Sequence, residues 1–142
     1  MPHVIETMRI GVDPETLWRK AGHFGDVGAW HPALAKVDSE GDRPGALRRV
    51  ETKQGDRQVE QLDQVDPRQH LYRYSLKETA MPVANYTAEF RIDRAAEGAS
   101  TVIWSASFDV TAGNEENGAE MIRQFLKRGL LNLRKTCERP SA

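Results

Sequence analysis

One long apolar stripe near the C-terminus constrains the fold of this chain most strongly. The segment Glu115–Cys137 contains no proline, and a helical repeat places its apolar side chains on one side. At about 1.5 Å per residue, this segment makes a helix of roughly 30 Å. Such a helix is not stable alone in water, so the preceding chain must supply an apolar surface. The stripe consists of Ile122, Phe125, Leu126, Gly129, Leu130, Leu133 and Cys137.

The chain before this helix has the pattern of one strand, two short helices and a series of further strands. Residues 4–10 alternate as a strand, and Asp13 and Pro14 are typical of the start of a helix, which Gly22 ends. A glycine-rich stretch, closed by Pro32, predicts a second, short helical turn. Alternation and tight turns then predict five or six antiparallel strands, of which five are located at residues 46–52, 58–65, 70–77, 85–93 and 101–111.

This order of elements predicts an α+β fold. We expect one curved antiparallel sheet wrapped around the long C-terminal helix, with two short helices after the first strand. No linker and no internal repeat divides the 142 residues, so we expect a single domain over residues 1–142.

Composition excludes several classes of function. Lys and Arg number 20 and Asp and Glu 21, without a basic block, so nucleic acid is not an expected partner. No apolar run approaches the length of a membrane span, and no secretory signal is visible, so we expect a cytoplasmic protein without membrane insertion. The single cysteine, the scattered histidines and the lack of a phosphate loop predict no metal and no cofactor. A monomer or a homodimer is expected.

The predicted inner face of the sheet carries polar groups that are costly to bury. Arg48 faces inward because the charged residues Arg49 and Glu51 take the opposite face. In the next strand, period two places Glu60 on the inner face with Leu62, Gln58 and Gln64. An ion buried without partners loses several kcal/mol of solvation, so a water-accessible cavity under the helix would accommodate both. The expected inner surface holds Arg48, Glu60, Tyr72, Tyr74, Tyr86 and Trp104.

Each candidate site residue has a structural alternative. Arg48 and Glu60 predict either a buried structural ion pair or a pocket in which Glu60 exchanges protons and Arg48 holds an oxyanion. A one-residue slip of register would instead turn both toward solvent. His31 is expected in a solvated loop, with catalysis through titration near neutral pH as the alternative. Gly129 predicts either a close backbone approach or room for a ligand. The apolar segment 81–83, which includes Met81, predicts a gate loop between two strands, with a simple connection as the alternative.

Short motifs along nearly the whole chain carry a resemblance to a known family. They are PETLW at 14–18, GDVGAWHP at 25–32, PGALR at 44–48, VEQL at 59–62 with Asp66, YRY at 72–74, PV at 82–83, NY at 85–86, and Trp104 with Phe108. With these motifs the sequence resembles the START/Bet v 1-like (SRPBCC) superfamily, and within it the bacterial polyketide cyclase/dehydrase-like branch. The order of the Arg, Glu and Tyr residues is also similar to that of the plant lachrymatory factor synthases. This resemblance implies a helix-grip fold and makes Arg48, Glu60, Tyr74 and Tyr86 the polar floor of a pocket.

Three hypotheses of function follow from the resemblance and the inner face. The first is a carrier or sensor that binds a small hydrophobic molecule, such as a lipid, between sheet and helix. The second is a cofactor-independent cyclase, dehydratase or isomerase in which Glu60, Arg48 and Tyr86 are catalytic. The third is a regulator that docks a partner protein. The expected ligand-binding residues are Trp30, Arg48, Glu60, Tyr72, Tyr74, Pro82, Tyr86, Trp104, Phe108, Phe125 and Leu130.

Overall fold

Seven antiparallel strands form one sheet that wraps around a long C-terminal helix. The computed structural model describes residues 2–138. Its strands are ordered β1-β7-β6-β5-β4-β3-β2, which confirms the predicted α+β meander and helix-grip fold. The elements are β1 His3–Ile10, α1 Pro14–Ala21, α2 Val27–Trp30, β2 Leu34–Ser39, β3 Leu47–Thr52, β4 Arg57–Asp66, β5 Leu71–Glu78, β6 Val83–Arg94, β7 Ser100–Val110 and α3 Glu115–Cys137.

The bounds of α3 match the predicted helix. Asn114 caps it by accepting hydrogen bonds from the backbone N–H groups of Glu116 and Asn117 at 2.7 and 3.2 Å. The helix packs across β1 and β7. Its buried residues are Gly118, Ile122, Leu126, Gly129, Leu130 and Leu133, so the predicted stripe is confirmed, with Phe125 and Cys137 half-buried at its edges.

The start of α1 also follows the sequence. Asp13 accepts a hydrogen bond from the Thr16 backbone N–H at 3.1 Å, Pro14 occupies the first helical position, and Gly22 is the C-cap. Leu17 and Ala21 of α1 are fully buried. The buried side of the helix thus packs on the sheet, where it contacts β6.

The edge strand β2 was not located from the sequence. Only Leu34 of this strand is buried, and Lys36 and Asp38 are exposed. An edge strand pairs on one side only, so its outer positions tolerate charge and its alternation is weak. The prediction that strands resume at residue 46 is therefore wrong. Six strands follow the helices, and β2 is the first of them.

Irregularities in β4 and β6 change which side chains face inward. The register of β4 against β5 shifts between Val59 and Glu60 and again between Leu62 and Gln64. Gln64 was expected on the inner face, but it is exposed and accepts a hydrogen bond from Arg73, because the second shift reverses the alternation.

In β6, a shift between Ala84 and Thr87 lets Val83 and Tyr86 both point inward, although they are three residues apart. Asn85 takes a left-handed conformation at the shift, with φ of 53°. Tyr86 is in phase with the buried residues Ala88 and Phe90, so the irregularity is what turns Val83 toward the interior.

Candidate functional site

A buried ion pair joins β3 and β4 on the inner face of the sheet. Arg48 and Glu60 are directly paired across the two strands, and their exposed fractions are 1% and 9%. Nε and Nη2 of Arg48 both lie 2.9 Å from Oε1 of Glu60. Within residues 2–138, the polar contacts of this carboxylate all use Oε1, so the second oxygen, Oε2, keeps its capacity to accept a hydrogen bond. The prediction that both residues face inward is confirmed.

The Arg48 guanidinium is held on several sides. Nη1 donates a hydrogen bond to the carbonyl oxygen of Phe24 at 2.6 Å. The guanidinium carbon lies 4.0 Å from the ring centre of Phe24 and 4.8 Å from that of Tyr74, which are cation–π distances. Burial by itself would lower the pKa of Arg48, but the charge of Glu60, together with the neighbouring Tyr72 and Tyr74, raises this pKa above its usual value. Arg48 therefore stays charged and holds Glu60 in place, and it does not transfer a proton.

The tyrosines near this pair remain protonated. Burial raises the pKa of Tyr74 well above its ordinary value, and it raises the pKa of Tyr86 as well. The Tyr74 hydroxyl accepts a hydrogen bond from Nε1 of Trp104 at 3.1 Å, and its own proton remains available to another acceptor. Both phenols can therefore donate hydrogen bonds to a polar group in the interior.

The interior space between the sheet and α3 is small. A cavity of about 30 Å³ lies beneath the N-terminal half of α3, next to the ion pair. This volume holds about one water molecule and is far below the several hundred Å³ of ordinary ligand sites. The cavity is lined by Val27, Leu34, Arg48, Val50, Gln58, Glu60, Tyr74, Met81, Tyr86, Trp104, Ile122 and Phe125.

Six of the eleven expected ligand-binding residues line this cavity, and five do not. Phe108 stacks on Tyr86 at 5.6 Å, and Leu130 is fully buried, so both belong to the packed core. Pro82 lies one residue past the lining residue Met81. The remaining two are Trp30 and Tyr72, whose rings pack on Phe90 at 5.7 and 5.3 Å. Alternation identified the inward side chains, but it could not tell solid core from cavity wall.

His31 is buried, which contradicts the expectation of a solvated loop histidine. Its exposed fraction is 2%, and its ring stacks on that of Phe125 at 4.0 Å. Nε2 donates a hydrogen bond to the Phe125 carbonyl oxygen at 2.8 Å, and Nδ1 accepts one from the Ala33 backbone N–H at 3.1 Å. Burial lowers the pKa of His31 to about 4, despite the opposing effect of the hydrogen bond to Phe125. The imidazole is therefore neutral at pH 7.

Gly129 provides the space that His31 occupies. A Cβ added at Gly129 would lie 2.5 Å from Cδ2 of His31 and 2.9 Å from Cζ3 of Trp104. Of the two alternatives for this glycine, the structure selects close approach over room for a ligand. A second contact holds the same segment, since the Asn132 side-chain amide donates a hydrogen bond to the Trp30 carbonyl oxygen at 2.7 Å.

Comparison with known protein families gives a match over nearly the whole chain. A family model described as polyketide cyclase/dehydrase and lipid transport matches residues 1–138. The chain belongs to this family. No curated protein sequence matches the chain.

Solved structures agree on the fold of this polyketide cyclase/dehydrase family member. XoxI from Bacillus cereus is 26% identical, with a TM-score of 0.90 and 96% of each chain covered. The Zhui aromatase/cyclase from Streptomyces sp. R1128 is 17% identical, with a TM-score of 0.75 over 97% of this chain and 94% of its own. The Bet v 1 allergen Ara h 8.0201 is 15% identical, with a TM-score of 0.77 over 96% and 97%. The chain therefore has the SRPBCC/Bet v 1-like fold.

Half of the cavity lining was not identified as site residues from the sequence. Met81 was expected only as part of a gate loop, and Gln58 only as an inward position. The other four, Val27, Leu34, Val50 and Ile122, are ordinary apolar core residues. Their sequence pattern is the same whether they face a cavity or a neighbouring side chain, so no sequence signal distinguishes them.

Within residues 2–138, no group of three or more His, Cys, Asp or Glu side chains is placed to hold a metal ion. No helix in this part of the chain is long and apolar enough to cross a membrane.

The Gly129→Ala substitution is expected to destabilise this family member. The added methyl must displace the His31 and Trp104 rings, and overpacking of this kind typically costs about 1–3 kcal/mol. Alanine improves helix propensity by about 1 kcal/mol, so the net loss is smaller than the steric cost alone. Chemical denaturation measures this loss of stability, with Lys127→Ala on the exposed side of α3 as the control. A variant more stable than the wild type by the full gain in helix propensity, about 1 kcal/mol, would contradict the close approach of His31.

Proposed function

We propose that this protein binds a small hydrophobic ligand between the sheet and α3. The observation that carries this proposal is a buried carboxylate with an unpaired oxygen at the edge of an otherwise largely apolar space. Glu60 and its counter-ion Arg48 line the cavity together with aromatic and aliphatic side chains. An apolar pocket with a few convergent polar groups is the usual form of a small-molecule site.

Family membership and the fold of its neighbours support the same function. The family description includes lipid transport, and one structural neighbour is an aromatase/cyclase. The cavity itself holds about one water molecule, so a ligand binds only if the wall between this cavity and the surface opens. The proposal therefore includes a movement of side chains on binding.

Native mass spectrometry of the protein purified from its own host tests this function. We expect a retained small molecule that is lost when the ion pair is replaced in the double variant Arg48→Met/Glu60→Leu. A matched control is Arg49→Met/Glu40→Gln, which removes the exposed ion pair with a 3.3 Å contact one position along β3. Absence of any retained molecule, or equal retention in both double variants, would contradict the proposal. A co-purifying protein would instead support partner docking.

A second candidate function is cofactor-independent proton transfer, as in an isomerase or dehydratase. It is favoured by the free Oε2 of Glu60 beside two protonated phenols, because a carboxylate can take up a proton while Tyr74 or Tyr86 stabilises a neighbouring oxygen. Here Arg48 acts as the fixed counter-ion of Glu60. We expect Glu60→Gln to abolish turnover of the retained molecule while its affinity stays within a few-fold. A variant that only weakens binding would favour the carrier function.

A further inference from the structure

Two spaces of very different size lie on either side of a shared wall. The inner cavity beside the ion pair measures about 30 Å³, whereas a surface groove along α3 measures about 410 Å³. Gln58, Met81 and Phe125 line both spaces. The inner cavity accommodates one small polar group, and the groove is large enough for the body of a small molecule.

The two apolar members of this wall are held differently. Phe125 is fixed, because His31 stacks on its ring at 4.0 Å and donates a hydrogen bond to its carbonyl oxygen. Met81 lies in the loop between β5 and β6, where only its backbone is tied, through Thr79 and Val83. A methionine side chain is unbranched and adapts easily to its surroundings. Of these two side chains, Met81 is therefore the one that is free to move, whereas Phe125 is held in place.

The charges beside the inner cavity determine which chemical group of a ligand can bind there. Each of the three guanidinium nitrogens of Arg48 already contacts Glu60 or the Phe24 carbonyl oxygen. The pair is neutral overall, and the free Oε2 of Glu60 is an acceptor. A hydroxyl group would donate a hydrogen bond to this oxygen, whereas a carboxylate would meet like charge in a poorly solvated space.

We propose that the ligand is an amphipathic molecule with a neutral, hydrogen-bond-donating head and an apolar body. The head binds Glu60 in the inner cavity, and the body passes between Met81 and Phe125 into the surface groove. This inference rests on the ligand binding proposed above and adds the chemical class and the orientation of the ligand. Apolar residues of the groove, including Pro32, Ala80 and Met121, contact the body.

Titration with two ligands of equal chain length tests this proposal. The protein is labelled with carbon-13 at its methionine methyl groups and titrated with 1-decanol and with decanoate at about pH 8, where the acid is ionised. We expect decanol to bind at least about tenfold more tightly than decanoate. The Met81 methyl signal should shift strongly and that of Met121 moderately, while Met8, which lines neither space, should stay unchanged.

The second part of this experiment removes the charge of Glu60. In Glu60→Gln, the neutral amide no longer repels a carboxylate, so the preference for decanol should fall several-fold. The double variant Arg48→Met/Glu60→Gln serves the same purpose if the single variant does not fold. Equal or tighter binding of decanoate to the wild type would overturn the proposal, as would an unchanged preference in the folded variants.

Failure of this proposal is distinguishable from failure of the proposed function. If neither ligand shifts the Met81 signal but the purified protein retains another molecule, ligand binding stands and the ligand class is wrong. If neither binds and no molecule is retained, both proposals fall.

Discussion

Replacing Arg48 by methionine is expected to lower the free energy of unfolding by about 3–5 kcal/mol. The substitution keeps an apolar chain of similar length but leaves the Glu60 carboxylate buried without its counter-ion. It also removes the hydrogen bond to the Phe24 carbonyl oxygen and the cation–π contacts. Urea denaturation at neutral pH measures the change. For a domain of this size, such a loss is a large part of the total stability.

Two variants identify the origin of this effect. Arg49→Met removes a neighbouring arginine whose ion pair with Glu40 is exposed, so its cost should be within about 1 kcal/mol. Arg48→Met/Glu60→Leu removes both buried charges, and it should recover much of the stability lost in the single variant. Equal costs for Arg48→Met and Arg49→Met would mean that the Arg48 ion pair is not buried as described.

Lowering the pH from 7 to 4 is expected to cost about 3 kcal/mol of stability through His31 alone. Burial lowers the folded-state pKa of His31 from 6.5 to about 4. Above pH 6.5 the imidazole is neutral in both states, so its contribution to stability is complete. Between these two pH values the unfolded state binds the proton and the folded state does not. Stability therefore decreases as the pH decreases, and it levels off below about pH 4. Each unit of difference between the folded-state and unfolded-state pKa corresponds to about 1.4 kcal/mol of stability.

Denaturation curves across this pH range test the prediction with two histidine variants. In His31→Gln, the slope of stability against pH should flatten between about pH 6.5 and 4, whatever the stability at neutral pH. In His23→Gln, which alters an exposed histidine, the slope of the wild type should remain. An unchanged slope in His31→Gln would show that His31 titrates normally in the folded protein.

Together, these groups define the chemistry available at the cavity. Arg48 stays charged, and the pKa values of Tyr74 and Tyr86 lie above their usual range, so none of the three accepts a proton at neutral pH. His31 is neutral and occupied by hydrogen bonds on both nitrogens. Glu60 is the lining residue whose Oε2 is free to interact with a ligand. Both the binding proposal and the catalytic alternative therefore depend on this one side chain.

Local sequence patterns account for the elements that bury a regular face. The helix Glu115–Cys137 was located to the residue because its apolar stripe is unbroken and proline-free. Asp13 and Pro14 located α1, since capping depends on neighbouring residues only. The edge strand β2 was missed because one buried residue, Leu34, gives no alternation. Gln64 was assigned to the wrong face because a register shift is set by the partner strand.

The sequence by itself determined the α+β order of elements, the span of α3 and the inward direction of Arg48 and Glu60. These follow from periodicity and capping, which depend on residues close along the chain. Only the tertiary structure decided that the space beneath α3 is nearly filled, that His31 is buried against Gly129, and that Met81 lines both the cavity and the surface groove. Cavity size and burial depend on how side chains from distant segments pack together, and no local pattern records that packing.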